Sequence, residues 1–250
     1  MLWVAAGVIA AGGELRVCSD PNNLPFSNRA SQGFENRLAE LIAGDLGASL
    51  HYTWWQERRN FIRNTLNAGR CDVVLGIPTA SEGVLTTRPY YRSTYVLVYP
   101  KGLNIRSLDD PALAKLRIGI HVVDDNYAPP AYVLARRGIV RNIVGYSLYG
   151  ARGESDPPAK IFDALERREI DVAIVWGPLG GYFGTRSKPP LEVVPIRGEF
   201  RLVPLAYDIS VGVRKSRPDL KSAIQRVLDR DHARVEKILA AFGVPQLGGG

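Results

Sequence analysis

Two cysteines, three histidines and one methionine in 250 residues leave little from which to build a metal centre or a thiol enzyme. Neither Cys18 nor Cys71 has a second cysteine or a histidine two to five residues away, the spacing that zinc sites use. His51, His121 and His232 stand apart in the sequence, so a Cys/His nucleophilic pair would need the fold to bring His121 or His51 beside a thiol. Asp124 and Asp125 are adjacent carboxylates without the further oxygen-ligand spacing of a cation loop, a pattern more typical of a solvated turn. No Ser/His/Asp set, paired catalytic carboxylates or phosphate loop can be placed, and Glu82, His121 and Asp124 are the only acid/base candidates. These absences argue for a protein that is not an enzyme and carries no metal or cofactor.

Long hydrophobic runs are also missing. The longest, "MLWVAAGVIAAGG", is too short to span a bilayer and lacks the positive start of a complete signal peptide. It resembles a signal core that has lost its beginning, with small residues Ala10, Ala11 and Gly12 suited to cleavage ahead of "ELRVCSD"; the alternative is a buried N-terminal strand or helix. Lysine is scarce too, because 25 of the 32 basic residues are arginine. The net charge of +7 fits an acidic partner surface, although genome base composition gives the same arginine excess. The arginines come as scattered pairs (Arg58 and Arg59, Arg136 and Arg137, Arg167 and Arg168) rather than a run, which speaks against nucleic acid.

What is present is alternation. "ELRVCSD" reads as a strand and "PNNLPFSN" as a loop rich in turn formers. "GFENRLAELIAGDLG" sets Leu38, Leu41, Ile42 and Leu46 on one helical face, with Gly47 as the left-handed stop. "SLHYTWW" alternates as a strand that puts Trp54 and Trp55 on opposite faces, one toward the core and one at a rim. "RRNFIRNTLNAG" returns to helical spacing, and "CDVVLGIP" is a third strand. The pattern restarts with "KLRIGIHVVDD" (strand), "PPAYVLARRG" (helix closed by Gly138), "RNIVGYSLYG" (strand), "DPPAKIFDALERRE" (helix with Asp156 as N-cap) and "IDVAIVWGP" (strand). "PLAYDISVG" adds a strand and the C-terminal region two amphipathic helices. Short links between alternating strands and helices predict a parallel α/β sheet with ligand sites beyond the carboxyl ends of its strands. Leu66 precedes Asp72 by the same six residues that separate Leu165 from Asp171, and both aspartates open an apolar strand ending in glycine and proline. The echo indicates two lobes built on one plan.

The strings "LRVCSDPNNLPFSN", "GFENRLAELIAGDLGA", "LNAGRCDVVLGIP", "TTRPYYRSTYVLVYPKG" and "AKIFDALERREIDVAIVWGP" together resemble an extracytoplasmic solute-binding protein of the type II periplasmic binding protein fold, over nearly the whole chain from about Glu14 to Gly243. "CSDPNNLPFSN", "YTWWQERRNFIRNTLNAGRCDVVLGIP" and "LTTRPYYRSTYV" are similar to its quinoprotein-dehydrogenase-associated branch, the MxaJ and XoxJ type proteins of methanol oxidation. The resemblance implies two Rossmann-like α/β lobes around a central cleft, joined by crossing strands near Tyr91 to Tyr99 and Ala206 to Val213. Residues 1–13 would be a signal remnant or extension, 14–95 and 208–250 lobe 1, and 96–207 lobe 2.

Departures from the amino-acid binders of that fold inform the expected site. Those binders commonly follow the third strand with a T-x-x-R turn whose arginine grips the ligand carboxylate bidentately. This chain reads "PTASEGVLTTRPYY", with Thr79 kept, Glu82 and Gly83 where the arginine is expected, and Arg88 as either a substitute or a structural residue. Trp176, Gly177 and Pro178 stand where a second-lobe aspartate would meet a ligand ammonium. With both charged handles gone, "WGPLGGYFG" would present Trp176, Tyr182 and Phe183 on a glycine-rich loop, suited to an apolar or protein-derived ligand. Asn22 and Asn23 either bind ligand or shape their turn; Phe26, Trp55, His121 and Asp124 complete the expected lining. His121 either donates a hydrogen bond or titrates near neutral pH there, or is merely a partly exposed imidazole. Neighbouring strands and an oxidising compartment imply a Cys18–Cys71 disulfide, with two buried free thiols as the alternative.

The resemblance implies a periplasmic, non-catalytic accessory protein that binds a methanol dehydrogenase dependent on pyrroloquinoline quinone, of the calcium or the lanthanide type, or a segment of it. Assistance in maturation or activation would be its role, with a small ligand in the cleft as a further option and no stable membrane insertion. The alternative is a transporter's solute-binding protein for a small molecule.

Overall fold

The structure, a computed structural model, describes residues 13–149, 156–198 and 203–248. Residues 1–12 of the apolar segment read as a signal core lie outside the described residues. The chain divides into two compact units. The first takes the chain up to Pro21, Phe26–Tyr91 and Asp208–Leu239; the second takes Asn22–Pro25, Arg92–Tyr207 and the chain from Ala240 on.

In the first unit, strands β1 (Glu14–Ser19), β4 (Ser49–Trp54) and β5 (Val73–Pro78) are parallel with β1 in the middle, in the register Glu14↔Ser49 through Ser19↔Trp54 and Cys18↔Val74. The two-residue strand β3 (Ser27–Asn28) belongs to this unit, β2 (Asn22–Asn23) to the second, and β6 (Leu85–Thr86) pairs with β13 (Ala206–Val213), which runs antiparallel to β5. Helix α1 (Phe34–Asp45) buries Leu38, Leu41 and Ile42 and stops ahead of Gly47, whose φ of 64° is the left-handed turn expected there. Cys18 and Cys71 form a disulfide with Cα atoms 5.6 Å apart, inside a buried cluster with Phe61, Leu66, Val74 and Ile77. The helix read over "RRNFIRNTLNAG" shrinks to α2 (Phe61–Asn64): the Thr65 hydroxyl donates to the Phe61 carbonyl at 2.6 Å, one of the local bonds that compete with helix propagation. Helices α6 (Pro218–Arg230) and α7 (His232–Ala241) close the chain, α6 burying Leu220, Ile224, Val227 and Leu228.

In the second unit the parallel strands run β10 (Ile143–Ser147), β8 (Ile118–Val123), β11 (Val172–Trp176). Strand β7 (Tyr91–Tyr99) lies antiparallel to β11, β12 (Glu192–Pro195) antiparallel to β7, and β9 (Asn126–Tyr127) folds back on β8. Helices α3 (Pro130–Ala135), α4 (Lys160–Glu166) and α5 (Gly177–Arg186) connect them. Leu97, Ile118, Ile120, Leu134, Val172 and Ile174 belong to its buried core.

Three sequence expectations are corrected in this unit. "WGPLGGYFG" is helix α5, not a loop. Its glycines recur at helical spacing because the helix packs too closely for side chains: an added Cβ would lie 2.3 Å from Val96 at Gly180, 1.8 Å from the Gly243 carbonyl at Gly181 and 2.8 Å from Val193 at Gly184. Asp156 makes no side-chain cap, since a proline turn, Pro157–Ala159, intervenes before α4. The tail from Ala240 belongs to the second unit rather than to lobe 1, because the Leu247 amide bonds the Arg92 carbonyl at 2.9 Å and the Ser93 hydroxyl bonds the Pro245 carbonyl at 2.5 Å.

The echo between the two halves has an atomic basis. In the first unit Arg16 clamps Asp72 bidentately, Nε to Oδ2 at 3.0 Å and Nη2 to Oδ1 at 2.9 Å, while the Asp72 amide donates to the Arg16 carbonyl at 2.8 Å. In the second, Arg117 holds Asp171 with the same atoms at 3.1 and 2.8 Å, and the Asp171 amide donates to the Arg117 carbonyl at 2.9 Å. Each arginine also donates to the carbonyl three residues ahead of its aspartate, that of Gly69 or of Arg168. Both residues have positive φ, 73° and 57°, so one tight turn serves both units and glycine occupies it only once. The clamp ties the start of the first strand to the start of the third in each sheet.

Candidate functional site

Trp176 is the last residue of β11 and the N-cap of α5, with φ −60° and ψ 137°. Its backbone is still extended, and two tyrosines meet its indole edge-on: its register partner Tyr95 of β7 at 5.5 Å and Tyr207 of β13 at 5.8 Å between ring centroids. All three rings are partly exposed. The Tyr207 hydroxyl donates to the Pro204 carbonyl at 2.9 Å. Burial pushes both phenols above the usual tyrosine range, and at Tyr95 the neighbouring Tyr207 adds to the effect. The surface is therefore aromatic and uncharged at neutral pH, fitted to flat or apolar groups through edge-to-face contacts. The place of Trp176 at the carboxyl end of β11 was legible in the sequence; its neighbours Tyr95 and Tyr207 were not, since strand pairing alone brings them to it.

In the first unit, Glu35 in the first turn of α1 is buried, and its carboxyl sits where Gly76 has no side chain: a Cβ on Gly76 would lie 2.1 Å from Glu35 Oε1. Gly76 has φ 75° and falls at the register shift between β5 and β13. Burial raises the Glu35 carboxyl well above the usual range, and the nearby Glu57 and Asp20 push the same way. A carboxyl raised in the folded state keeps its proton where the unfolded chain, titrating near ~4.3, loses it, so Glu35 costs stability progressively as pH rises through and above that value. Glu35→Gln should leave the melting temperature unchanged near about pH 4 and raise it near about pH 7.5, the gain growing in between; an equal melting temperature at both values would refute the burial account.

The other expected residues divide. Trp55 is exposed with the Arg70 guanidinium 5.3 Å from its ring centroid, and Trp54 is not core either but stacks on Tyr52 at 4.5 Å. Glu82 is exposed on the rim of a hollow of about 460 Å3 that Arg58, Arg63, Phe61 and Ile77 also line. Thr79 is used internally: its hydroxyl bonds the Asp208 carbonyl at 3.1 Å and Ser210 Oγ at 2.7 Å. Arg88, weighed as a carboxylate ligand, is structural, with Nη2 2.5 Å from Asp229 and its amide on Gln225. Phe26 packs on Phe34 at 5.4 Å, Asn23 is buried, and Asn22 Oδ1 accepts from the Asp156 amide at 3.2 Å. His121 is buried rather than partly exposed, and burial lowers its imidazole to about 4 against an opposing hydrogen bond to the Pro158 backbone. It stays neutral at physiological pH, which corrects the expectation of a near-neutral titration. Asp124 lies in an exposed turn with φ 52°. Tyr182 is not on the Trp176 surface: it stacks on Phe242 at 5.8 Å with the Arg186 guanidinium 3.9 Å from its ring centroid. Among the described residues no cluster of three or more His, Cys, Asp or Glu could hold a metal ion, and no helix is long and apolar enough to cross a membrane.

Residues 15–242 match the model of the bacterial extracellular solute-binding proteins, family 3. Periplasmic binding protein XoxJ from Methylobacterium extorquens AM1 is 36% identical, with a TM-score of 0.77 over 94% of this chain and 100% of that one. Protein MoxJ of Methylorubrum extorquens is 30% identical over 94% of this chain and 82% of its own length. MxaJ from Methlophaga aminisulfidivorans MPT, at 24% identity, shares the fold with a TM-score of 0.82 over 93% of this chain and 100% of that one. The chain is a member of family 3 of the bacterial extracellular solute-binding proteins, a protein similar to MoxJ, MxaJ and XoxJ with the type II periplasmic binding protein fold.

Proposed function

We propose that this protein is a periplasmic, non-catalytic accessory protein of methanol oxidation, which binds a dehydrogenase dependent on pyrroloquinoline quinone, or a segment of it, and assists its maturation or activation. The reading is supported by the likeness to MoxJ and XoxJ over almost the whole chain. The observation that carries it is the Trp176 surface, where Tyr95 and Tyr207 supply aromatic area in place of an ionic grip for a zwitterion. Arg88, weighed as a substitute for the missing carboxylate-binding arginine, is already paired with Asp229. A net charge of +7 would draw an acidic partner at modest ionic strength.

Isothermal titration of purified dehydrogenase into the purified protein tests this. Saturable binding at low salt that weakens as salt is added is the expected result. No binding at low salt, together with tight stoichiometric uptake of a plain amino acid, would replace the reading with that of a transporter's binding protein.

A further inference from the structure

Strand β10 is the edge of the second unit's sheet: among the described residues it pairs with β8 alone. Its sequence, "IVGYS", contains neither lysine nor proline, the residues that commonly guard a free edge against strand addition. Beside this edge lies a hollow of about 270 Å3 formed by Tyr127, Tyr132, Val140 and Ile143, with Asp125 at its β9 end. Tyr127 is 42%, Tyr132 52% and Val140 58% exposed, which makes them three of the six most exposed large hydrophobic side chains among the described residues. A fourth, Val144, is 40% exposed and points to the opposite face of β10. Gly145 lets Tyr127 lie against the strand, since a Cβ there would be 3.1 Å from the phenol oxygen.

Val140 also borders a second hollow of about 490 Å3 lined by Arg137, Arg141 and Asn142. Arg137 is paired with Asp109, whereas Arg141 and the nearby Arg136 have no carboxylate partner among the described residues. The groove thus offers, among the described residues, an unpaired main-chain edge, an apolar seat and guanidinium groups without a carboxylate partner.

We propose that this groove docks an extended segment of a partner protein, one that lays its backbone along β10, seats an apolar side chain between Tyr132 and Val140 and presents a carboxylate to Arg141. Main-chain pairing supplies affinity in such strand addition, and the apolar and charged seats supply register. A second copy of this chain is a poor occupant, because it carries the same net charge of +7 and so meets the groove's guanidinium groups with repulsion. The proposal rests on the accessory reading above for its partner, and the variants below separate a failure of the groove from a failure of that reading.

The test titrates purified dehydrogenase into wild-type protein and into Val140→Asp, Arg141→Glu and, as a charge-matched control on α7, Lys237→Glu. All three positions are exposed, so each variant is expected to keep the wild-type melting temperature. Loss of a central anchor should weaken binding by about tenfold or more in V140D and R141E, with K237E within about twofold of wild type. If wild type binds and V140D and R141E bind as K237E does, the groove is overturned while the accessory reading stands. Should wild type itself fail to bind at low salt, both fall together. A wild-type dimer in sedimentation that V140D disperses, with dehydrogenase binding unchanged, would assign the groove to a second copy and overturn the proposal.

Discussion

Asp72→Asn should lower the unfolding free energy by about 2–4 kcal/mol at neutral pH, a little under the roughly 3–5 kcal/mol of a fully buried pair, because the two arginines keep part of their water. The Asp72 side chain is 7% exposed and faces two guanidiniums, Arg16 at 2.9 Å and Arg214 at 2.5 Å. Burial alone would raise its carboxyl. The Arg16 side-chain and backbone hydrogen bonds, and the fields of Arg16 and Arg214, together outweigh that and hold it below the usual range. A carboxyl depressed in the folded state contributes its full stability above the unfolded value near ~3.9 and loses it as pH falls through the folded value. Denaturant titrations of wild type and variant should therefore converge in strong acid and separate as pH rises. Asp171→Asn is the matched comparison: its clamp has the same geometry, but Asp171 is 29% and Arg117 51% exposed, so solvent screens the pair and the change should be far smaller. Equal losses from the two variants would show that burial is not what makes the first clamp count.

Replacing Cys18 and Cys71 together with serine should remove about 4 kcal/mol, the chain-entropy estimate for a bridge across a sequence separation of 53 residues. The effect belongs mainly to the unfolded chain, which the bridge holds closed between β1 and the start of β5. Reduction of the wild-type protein should lower the denaturation midpoint in the same direction, with the double variant at or below reduced wild type because its hydroxyls replace thiols in an apolar cluster. A maleimide that labels unreduced protein would contradict the bridge outright. Insensitivity of the midpoint to reductant would instead mean that the surrounding cluster of Phe61, Leu66 and Ile77 fixes the loop unaided.

Periodicity exposed most of the architecture, because a strand buried on both faces and a helix with one apolar stripe leave different marks in sequence. The "CDVV" and "IDVA" strands, the stop at Gly47 and the pairing of Cys18 with Cys71 all appear where the sequence reading put them. What misled was chemistry that depends on contact. The glycines of "WGPLGGYFG" looked like loop residues, yet they are demanded by the Val96, Val193 and Gly243 surfaces against which α5 lies. His121 was an open question between ligand and bystander until its burial removed it from titration at neutral pH. Arg16 and Arg117 drew no notice, although each stands one residue after a leucine at the opening of its sheet, a repeated "LR" that could have flagged them. The aromatic surface was half legible: Trp176 follows from the end of β11, while Tyr95 and Tyr207 reach it only through the antiparallel strands.

The tail from Ala240 has a consequence for biogenesis. Gly181 accommodates the Gly243 carbonyl, Phe242 stacks on Tyr182, and Arg92 receives Leu247, so the second unit is completed by residues made after the whole of the first. A nascent chain arrested anywhere before them cannot finish that unit, however much of its sheet has already emerged. A stop placed ahead of Gly243 would therefore strip contacts from the second unit and leave the sheet of the first intact.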